Sequence, residues 1–440
     1  MANCSKLHVP DEIVEEILSR LPPKSLMRFK CVCTLWCNLI KSHSFVAKHL
    51  SNSLRASSSV SILFKHTVEK MVDHEISNEE GSILLSLLNR CNDDVDDLFS
   101  IVVENLNVPP PLNQIGFSSY LGIAGHCDGI ICLKLFYGNV VLCNPAIKEF
   151  KLLPKSVLIL PNRDSLYLAF ELENYTELLG FGYDPKGKDY KVVRLLVYSL
   201  FSYWFKTEVY TMGSNSWREI KTKYTNDYHF KDCWDKQQLF YEGKYYWQVC
   251  GFDRGHNLVH KFILSFDMGD ELFYEISLPW QDTETYGGTQ GRLAVWKGSI
   301  ALVSFEHEIV GPQSFDIWVM MNNSCGVKSP WTKYLTIGPM EGIDIPVVYP
   351  LVFWKNDELV MVAVDGRVVS YNLGTQTFKY LPIHFVEDFP DTQAVVYMSS
   401  IVSVEGGDKL EGIDNTAFYG IMTLPNGRLT SAGPHKYSYY

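Results

Sequence analysis

Two hydrophobic rhythms divide this chain, and the change from one to the other falls near residue 55. In the first fifty residues the apolar positions recur at helical spacing. Ile13, Val14, Ile17, Leu18 and Leu21 fall on one face of a short amphipathic helix, while Glu12, Glu15, Glu16 and Ser19 fall on the other. Asp11 and Glu12 suit the start of that helix electrostatically, and Pro22-Pro23 stops it. A second helical run follows at once, with Leu26, Phe29, Cys33, Trp36 and Ile40 on one stripe and Lys24, Arg28 and Lys30 on its flank. Three short helices cannot bury that much apolar surface among themselves. The rest of the chain or another subunit must cover the remaining face.

Beyond residue 55 short runs of Val, Ile, Tyr, Phe and Trp alternate with Gly, Asp, Asn and Pro, which reads as strands and turns. One phrase recurs five times, with Asn144, Thr211, Asp267, Val319 and Asn372 in equivalent positions. The separations are 67, 56, 52 and 53 residues, close to the period of about 50 that marks kelch-like propellers. Each copy predicts an antiparallel hairpin, and each is preceded by a further strand signal, at 127–133, 180–184, 243–247, 296–303 and 354–360. Two hairpins per period give the four strands of a blade. The stretch 60–105, closed by 395–404, supplies a sixth blade, because a closed ring has no exposed strand edges. The expectation is a mainly β chain: a small three-helix unit over 8–50, a kelch-like β-propeller of about six blades over 55–404, and a tail over 405–440 to which no role is assigned.

Composition narrows the chemistry. With 46% hydrophobic and 13% aromatic residues the chain can fill a large core. No run of about 18 apolar residues occurs, and the N-terminus carries no secretory signal, so a cytoplasmic or nuclear protein with no membrane contact is expected. Eleven cysteines scattered from Cys4 to Cys325 without a regular framework fit reduced thiols, mostly as small core residues. The formal net charge is −11, and because residues 1–50 hold seven Lys/Arg against four Asp/Glu, the remainder carries −14. Such a balance argues against nucleic acid and suits a basic protein partner. Asp93, Asp94, Asp96 and Asp97 form the densest acidic cluster, which also reads as a solvated loop.

Several catalytic or ligand-binding patterns fail on spacing. Cys33, Cys37, His43 and His49 imitate a zinc finger, but five residues separate the pairs where a finger needs about twelve. Gly182-x4-Gly187-Lys188 imitates a phosphate loop, yet Asp189 stands where magnesium needs Ser or Thr and Pro185 removes an amide, so a hairpin turn is expected. Asn3, Asn174 and Asn322 begin glycosylation sequons, without a signal that would bring them to the transferase. No serine elbow, zincin motif or RING spacing appears, and no catalytic residue, metal or cofactor is expected.

The N-terminal residues resemble the F-box, the module that docks a substrate receptor onto the adaptor of a cullin-based ubiquitin ligase. Val9-Pro10 stands at the family's Leu-Pro opening, Ile17-Leu18 at its apolar pair and Leu21-Pro22 at its Leu-Pro break, with Cys31-Val32-Cys33-Thr34-Leu35-Trp36 at its Cys-Val-Cys-x-x-Trp run. Val9 replaces the usual Leu, and Thr34-Leu35 replaces a basic-plus-Ser pair, which leaves the apolar pattern intact. An ordinary helical hairpin packed on its own chain is the alternative reading. The rest of the chain, to about residue 404, resembles the F-box-associated domain of plant receptors and within it the S-locus F-box proteins of the rose family. The residues that carry this are Ser44 to Ser53, Val140 to Pro145, Leu179 to Asp184 with Asp189 to Arg194, Ile263 to Phe266, and Trp331 to Pro339.

The resemblance implies a noncatalytic receptor of an SCF-type ligase. Its adaptor contacts are implied at Pro10, Ile13, Ile17, Leu21, Pro22, Leu26, Val32, Cys33 and Trp36, reaching a Skp-type adaptor and through it a cullin and a RING subunit. The implied target is a basic S-ribonuclease of pollen–pistil self-incompatibility. Loop acids lying between strand signals, Asp93, Asp94, Asp96, Asp97, Glu171, Glu173 and Glu177, are the expected target contacts. The rivals are a glycan- or protein-binding propeller outside any ligase and a propeller enzyme of the kelch-oxidase kind.

Overall fold

In the computed structural model the N-terminal unit has four helices, α1 (Asp11–Leu18), α2 (Pro23–Phe29), α3 (Thr34–Lys41) and α4 (His43–Arg55). The structure describes residues 10–404 apart from 56–59, 69–70, 73–74, 77–81, 91–100, 107–120, 136–137, 159–174, 199–203, 222–228, 233–237, 253–257, 281–288, 307–313, 322–329, 339–346, 355–356, 364 and 385–391. Pro10 and Pro22 stand at the N-caps with extended ψ values of 143° and 147°, and Pro23 opens α2 where a missing N–H costs nothing. Ser42 ends α3 with ψ 141°, and its hydroxyl accepts from Phe45 N at 3.3 Å as α4 begins. The three-helix expectation missed α4. Its three Ser, two His and one Asn lower the helical propensity and, with Lys48, interrupt the apolar stripe. Only Phe45 and His49 of α4 are buried, and Phe45 joins Leu18, Leu26 and Ile40 in the core of the unit.

Among the described residues six antiparallel blade sheets and one separate two-stranded sheet follow. Blade one begins with β1 (Val60–Val68), passes through a small hairpin, β2 (Met71–Val72) and β3 (Glu75–Ile76), and continues with β4 (Ser82–Arg90) and β5 (Ile101–Leu106). Blade two is β6 (Gly122–Cys127), β7 (Ile130–Lys134), β8 (Val140–Asn144) and β9 (Glu149–Leu152); blade three is β10 (Tyr175–Asp184), β11 (Asp189–Tyr198), β12 (Trp204–Thr211) and β13 (Ser216–Ile220). In blade four β14 (His229–Asp232) and β15 (Gln238–Tyr241) pair with opposite halves of β16 (Lys244–Phe252), followed by β17 (Leu258–Asp267) and β18 (Leu272–Ser277). Blade five holds β19 (Gln290–Trp296), β20 (Ser299–Phe305), β21 (Phe315–Met320) and β22 (Trp331–Ile337). Blade six holds β23 (Val347–Trp354), β24 (Glu358–Ala363), β25 (Arg367–Asn372) and β26 (Thr377–His384). Finally β27 (Gln393–Met398) returns to β1, with Val60 opposite Met398, and closes the ring as expected.

The repeated phrase has a physical cause in its turns. Asn144, Asp267 and Asn372 each end the third strand of a blade, and each side-chain oxygen accepts from backbone N–H groups two or three residues on. Four residues after each comes a left-handed residue immediately before the outer strand: Lys148, Glu271 and Gln376, with φ of 58°, 57° and 57°. Asp184 builds the same turn between β10 and β11, accepting from Lys186 N and Gly187 N before Lys188 at φ 53°. The segment that imitates a phosphate loop is therefore the hairpin turn that was expected. Two-residue turns at Asp128-Gly129, Glu242-Gly243 and Lys297-Gly298 have positive φ at both positions, which matches the strand twist in tight hairpins.

Burial lies between blades rather than at one centre. Separate apolar layers join blades one and two, two and three, three and four, and four and five, while a larger one spans five, six and one. Tight turns of neighbouring blades also meet at one end of the ring. Tyr190 Oη donates to Asp128 Oδ2 at 2.8 Å, Tyr241 Oη to the Gly298 carbonyl at 2.6 Å, and Lys297 Nζ lies 3.6 Å from Asp357 Oδ1. The helical unit sits at this end, where Ile147 and Ile401 of the ring pack into its core cluster.

A candidate docking face on the helical unit

The helical unit buries one side of each stripe and leaves the other exposed. Val14 and Leu18 of α1 turn inward, whereas Ile13 and Ile17, one turn apart, are 50% and 55% exposed. At the start of α3, Val32 is 60% and Leu35 59% exposed. Pro10, Pro22 and Cys33 are exposed as well, and Leu21 and Trp36 are half-buried against the same core. Cys33 caps α3, its Sγ accepting from Trp36 N at 3.5 Å, and the Trp36 ring meets Phe29 edge-on at 5.6 Å between centroids. These residues therefore form the outward rim of a core whose interior is already filled.

One expected contact moves. Leu26 is fully buried within the unit, beside Leu18, Ile40, Phe45 and Ile401, so it supports the docking face from beneath and does not reach a partner. Leu35, which is not among the expected contacts, belongs to the Thr34-Leu35 pair that replaces the family's basic-plus-Ser pair. Its exposure, with Val32 three residues before it, is the signal that α3 begins with an apolar edge. The zinc-finger imitation separates in space: Cys33 is exposed, while His49 is buried with its Nε2 3.0 Å from the Leu21 carbonyl. Burial lowers the His49 pKa, partly offset by that hydrogen bond.

The expected target contacts fare differently. Asp93, Asp94, Asp96, Asp97, Glu171 and Glu173 lie outside the described residues. Glu177 is not a loop acid. It lies on β10 with its carboxylate 2.8 Å from Arg194 Nε and 3.1 Å from Lys134 Nζ, and the side chains of Glu177 and Arg194 are almost fully buried. Burial alone would raise its pKa, but Lys134 and Arg194 outweigh it and hold the carboxyl below its usual range. Arg194 also donates from Nη1 to Glu208 Oε1 at 2.6 Å and lies over the Trp217 ring at 4.7 Å. Glu208 Oε2 in turn accepts from Val157 N and Leu158 N, fastening the chain that leaves blade two onto blade three. This network is a structural joint. Sequence alone could not assign it, because Glu177 and Arg194 meet only through the β10–β11 register, in which Leu178 faces Leu195.

The four-Asp segment falls in sequence between Arg90, at the end of β4, and Ile101, at the start of β5, which stand opposite each other in the register of blade one.

Residues of different blades are bonded to the inner strand β6. Gln238 and Gln393 both donate to the Ile123 carbonyl, and Tyr245 Oη donates to the Ala124 carbonyl at 2.7 Å. Among the described residues no group of three or more His, Cys, Asp or Glu is placed to hold a metal. Cys132 on β7 stands opposite Leu142 and Cys143 on β8 opposite Ile131, so the two thiols enter different apolar layers, and burial pushes both up, Cys143 to about 12. They are core residues in unreactive form. No helix among the described residues is long and apolar enough to cross a membrane.

The F-box associated beta propeller domain model matches residues 86–404, and the F-box domain model matches residues 7–48. The chain belongs to the F-box-associated propeller family. An F-box/kelch-repeat protein of Arabidopsis thaliana is 26% identical over 400 residues, covering 90% of this chain and 96% of its own. The F-box protein CPR1 of the same plant is 24% identical over 430 residues, covering 91% and 90%. A solved oligogalacturonate lyase in complex with manganese aligns with a TM-score of 0.35 at 10% identity, over 68% of this chain and 70% of that one. The helical unit is the F-box, and the apolar rim of Ile13, Ile17, Val32 and Leu35 lies within its matched span.

Proposed function

We propose that this chain is the noncatalytic substrate-recognition subunit of an SCF-type ubiquitin ligase, acting in the cytoplasm or nucleus. The F-box binds a Skp-type adaptor and through it a cullin and a RING subunit. The propeller holds a protein target, and ubiquitin transfer follows from proximity on the assembled scaffold. The observation that carries this reading is the rim of Ile13, Ile17, Val32 and Leu35, each half exposed or more on helices whose core is complete. An exposed apolar patch of this kind on a small helical unit marks a protein interface.

The finer proposal is that the target is a basic protein, specifically a non-self S-ribonuclease met in pollen. It is supported by the −14 balance outside residues 1–50 and by the resemblance of the propeller to S-locus F-box proteins. Co-expression with a Skp-type adaptor followed by size-exclusion chromatography tests the receptor reading. A stoichiometric complex that Ile17→Glu abolishes supports it; an adaptor that elutes separately from the unmutated chain overturns it. Association kinetics of that complex with several ribonucleases and with neutral proteins of similar size test the finer reading.

A further inference from the structure

After β27 the chain is gripped from two sides. On the ring side, Asn144 is fully buried at the end of β8 and its amide donates to the Ser400 carbonyl at 3.2 Å and to the Val402 carbonyl at 2.7 Å. Glu149 Oε2 accepts from Val404 N at 3.0 Å and from the Ser403 hydroxyl, and Ser400 Oγ donates to the Asp128 carbonyl. Gly129 lies so close to this segment that an added Cβ would stand 2.4 Å from Ser400 Oγ. On the F-box side, Ile401, only 3% exposed, enters the cluster of Leu18, Leu26, Ile40 and Phe45. Val402 and Val404 meanwhile pack into the layer between blades two and three. Neighbouring residues of one short segment therefore serve two different cores.

We propose that residues 399–404 set the orientation of the F-box on the propeller. Ile401, Asn144 and Glu149 act as positioning residues for ubiquitin transfer. The proposal rests on the receptor reading above, since a fixed orientation matters where proximity does the chemistry. Its physical basis is that blade two bonds the Ser400 and Val402 carbonyls and the Val404 amide on either side of Ile401, which holds Ile401 in the F-box core as an apolar peg. Ile147, from the turn between β8 and β9, packs beside it on the same cluster, and Val46 of α4 packs against both cores. The segment also extends the strand that closes the ring. Seating of the F-box and closure of blade one are therefore linked through residues 399–404.

The test compares three changes in the full chain bound to a Skp-type adaptor. Donor and acceptor labels are carried as non-natural amino acids at Ser51, exposed on α4, and Thr332, exposed on β22. The variants are Ile401→Asp, Asn144→Ala, and an insertion of about ten Gly/Ser residues between Arg55 and Val60, long enough to free any orientation held by the connection itself. The expected result is a narrow distance distribution that the insertion leaves in place and that Ile401→Asp and Asn144→Ala broaden at least twofold, with adaptor still co-purifying. A distribution broadened by the insertion and unaffected by both substitutions overturns the proposal. Should Ile401→Asp fail to fold, Asn144→Ala and the insertion decide alone. Loss of adaptor from the unmutated chain counts against the receptor reading only, because the distances are equally measurable on the chain by itself.

Discussion

Arg194 Nη1 donates to Glu208 Oε1 at 2.6 Å with both side chains almost wholly out of water. The pair does not stand alone: Glu177 sits against the same guanidinium, and Lys134 against Glu177. Removing the arginine would leave two carboxylates in a site built for a cation. Arg194→Met is expected to destabilise the propeller by about 3–5 kcal/mol, as for other buried pairs broken from one side. Urea unfolding followed by tryptophan fluorescence measures it. A double change of Arg194 and Glu208 to apolar residues is expected to cost less than the sum of the two single changes.

Docking and support on the F-box separate by burial. Val32→Glu and Ile17→Glu are expected to abolish adaptor co-purification while the helical signal and the melting midpoint stay near those of the parent, because both side chains already face water. Leu26→Ala removes a fully buried side chain and is expected to cost about 2–5 kcal/mol through the cavity it leaves. Its effect on adaptor binding should follow the loss of fold. Calorimetry alongside pull-down distinguishes the two classes.

Acid should weaken the ring through a histidine. Burial lowers His126 on β6 to about 4, whereas the unfolded side chain titrates near 6.5. Both states are neutral above that value, and as pH falls from 6.5 toward 4 the unfolded chain takes up the proton first. Stability is then lost as pH drops through this window and levels off below it. His49 is shifted in the same direction and adds to the loss. The melting midpoint of the parent is expected to fall between pH 7 and 5 more steeply than that of His126→Gln. Equal slopes would show that the ring does not desolvate this imidazole.

Target capture, on the finer proposal, is faster at low salt, since complementary fields raise the rate of encounter and are screened beyond about 8 Å at physiological strength. Neutralising Asp93, Asp94, Asp96 and Asp97 to Asn is expected to slow association with a basic ribonuclease and to flatten its salt dependence. Glu177→Gln should act instead on stability, because its carboxylate is occupied by Arg194 and Lys134. Stopped-flow kinetics over a salt series separate the two effects.

The hydrophobic rhythm alone determined the split at residue 55, the hairpin period of the large domain and the closure by a terminal strand. Each of these is local or repetitive: helical stripes, alternating strands, and Asx turns at Asn144, Asp267 and Asn372 whose side chains act on amides two or three residues away. The apolar rim of the F-box was also readable, since Ile13, Ile17 and Val32 lie on short amphipathic stretches. What only the tertiary structure decided is which member of a stripe is buried within the unit and that Glu177 is paired. Leu26 and Val32 are equally apolar in sequence, yet α4 and Ile401 cover the first and leave the second exposed. Glu177 and Asp93 are both acids near predicted turns, yet Glu177 is neutralised by cations from two neighbouring blades. Asn144 and Val402 meet across 258 residues. Such pairings depend on closure of the whole ring, and no window along the chain contains both partners.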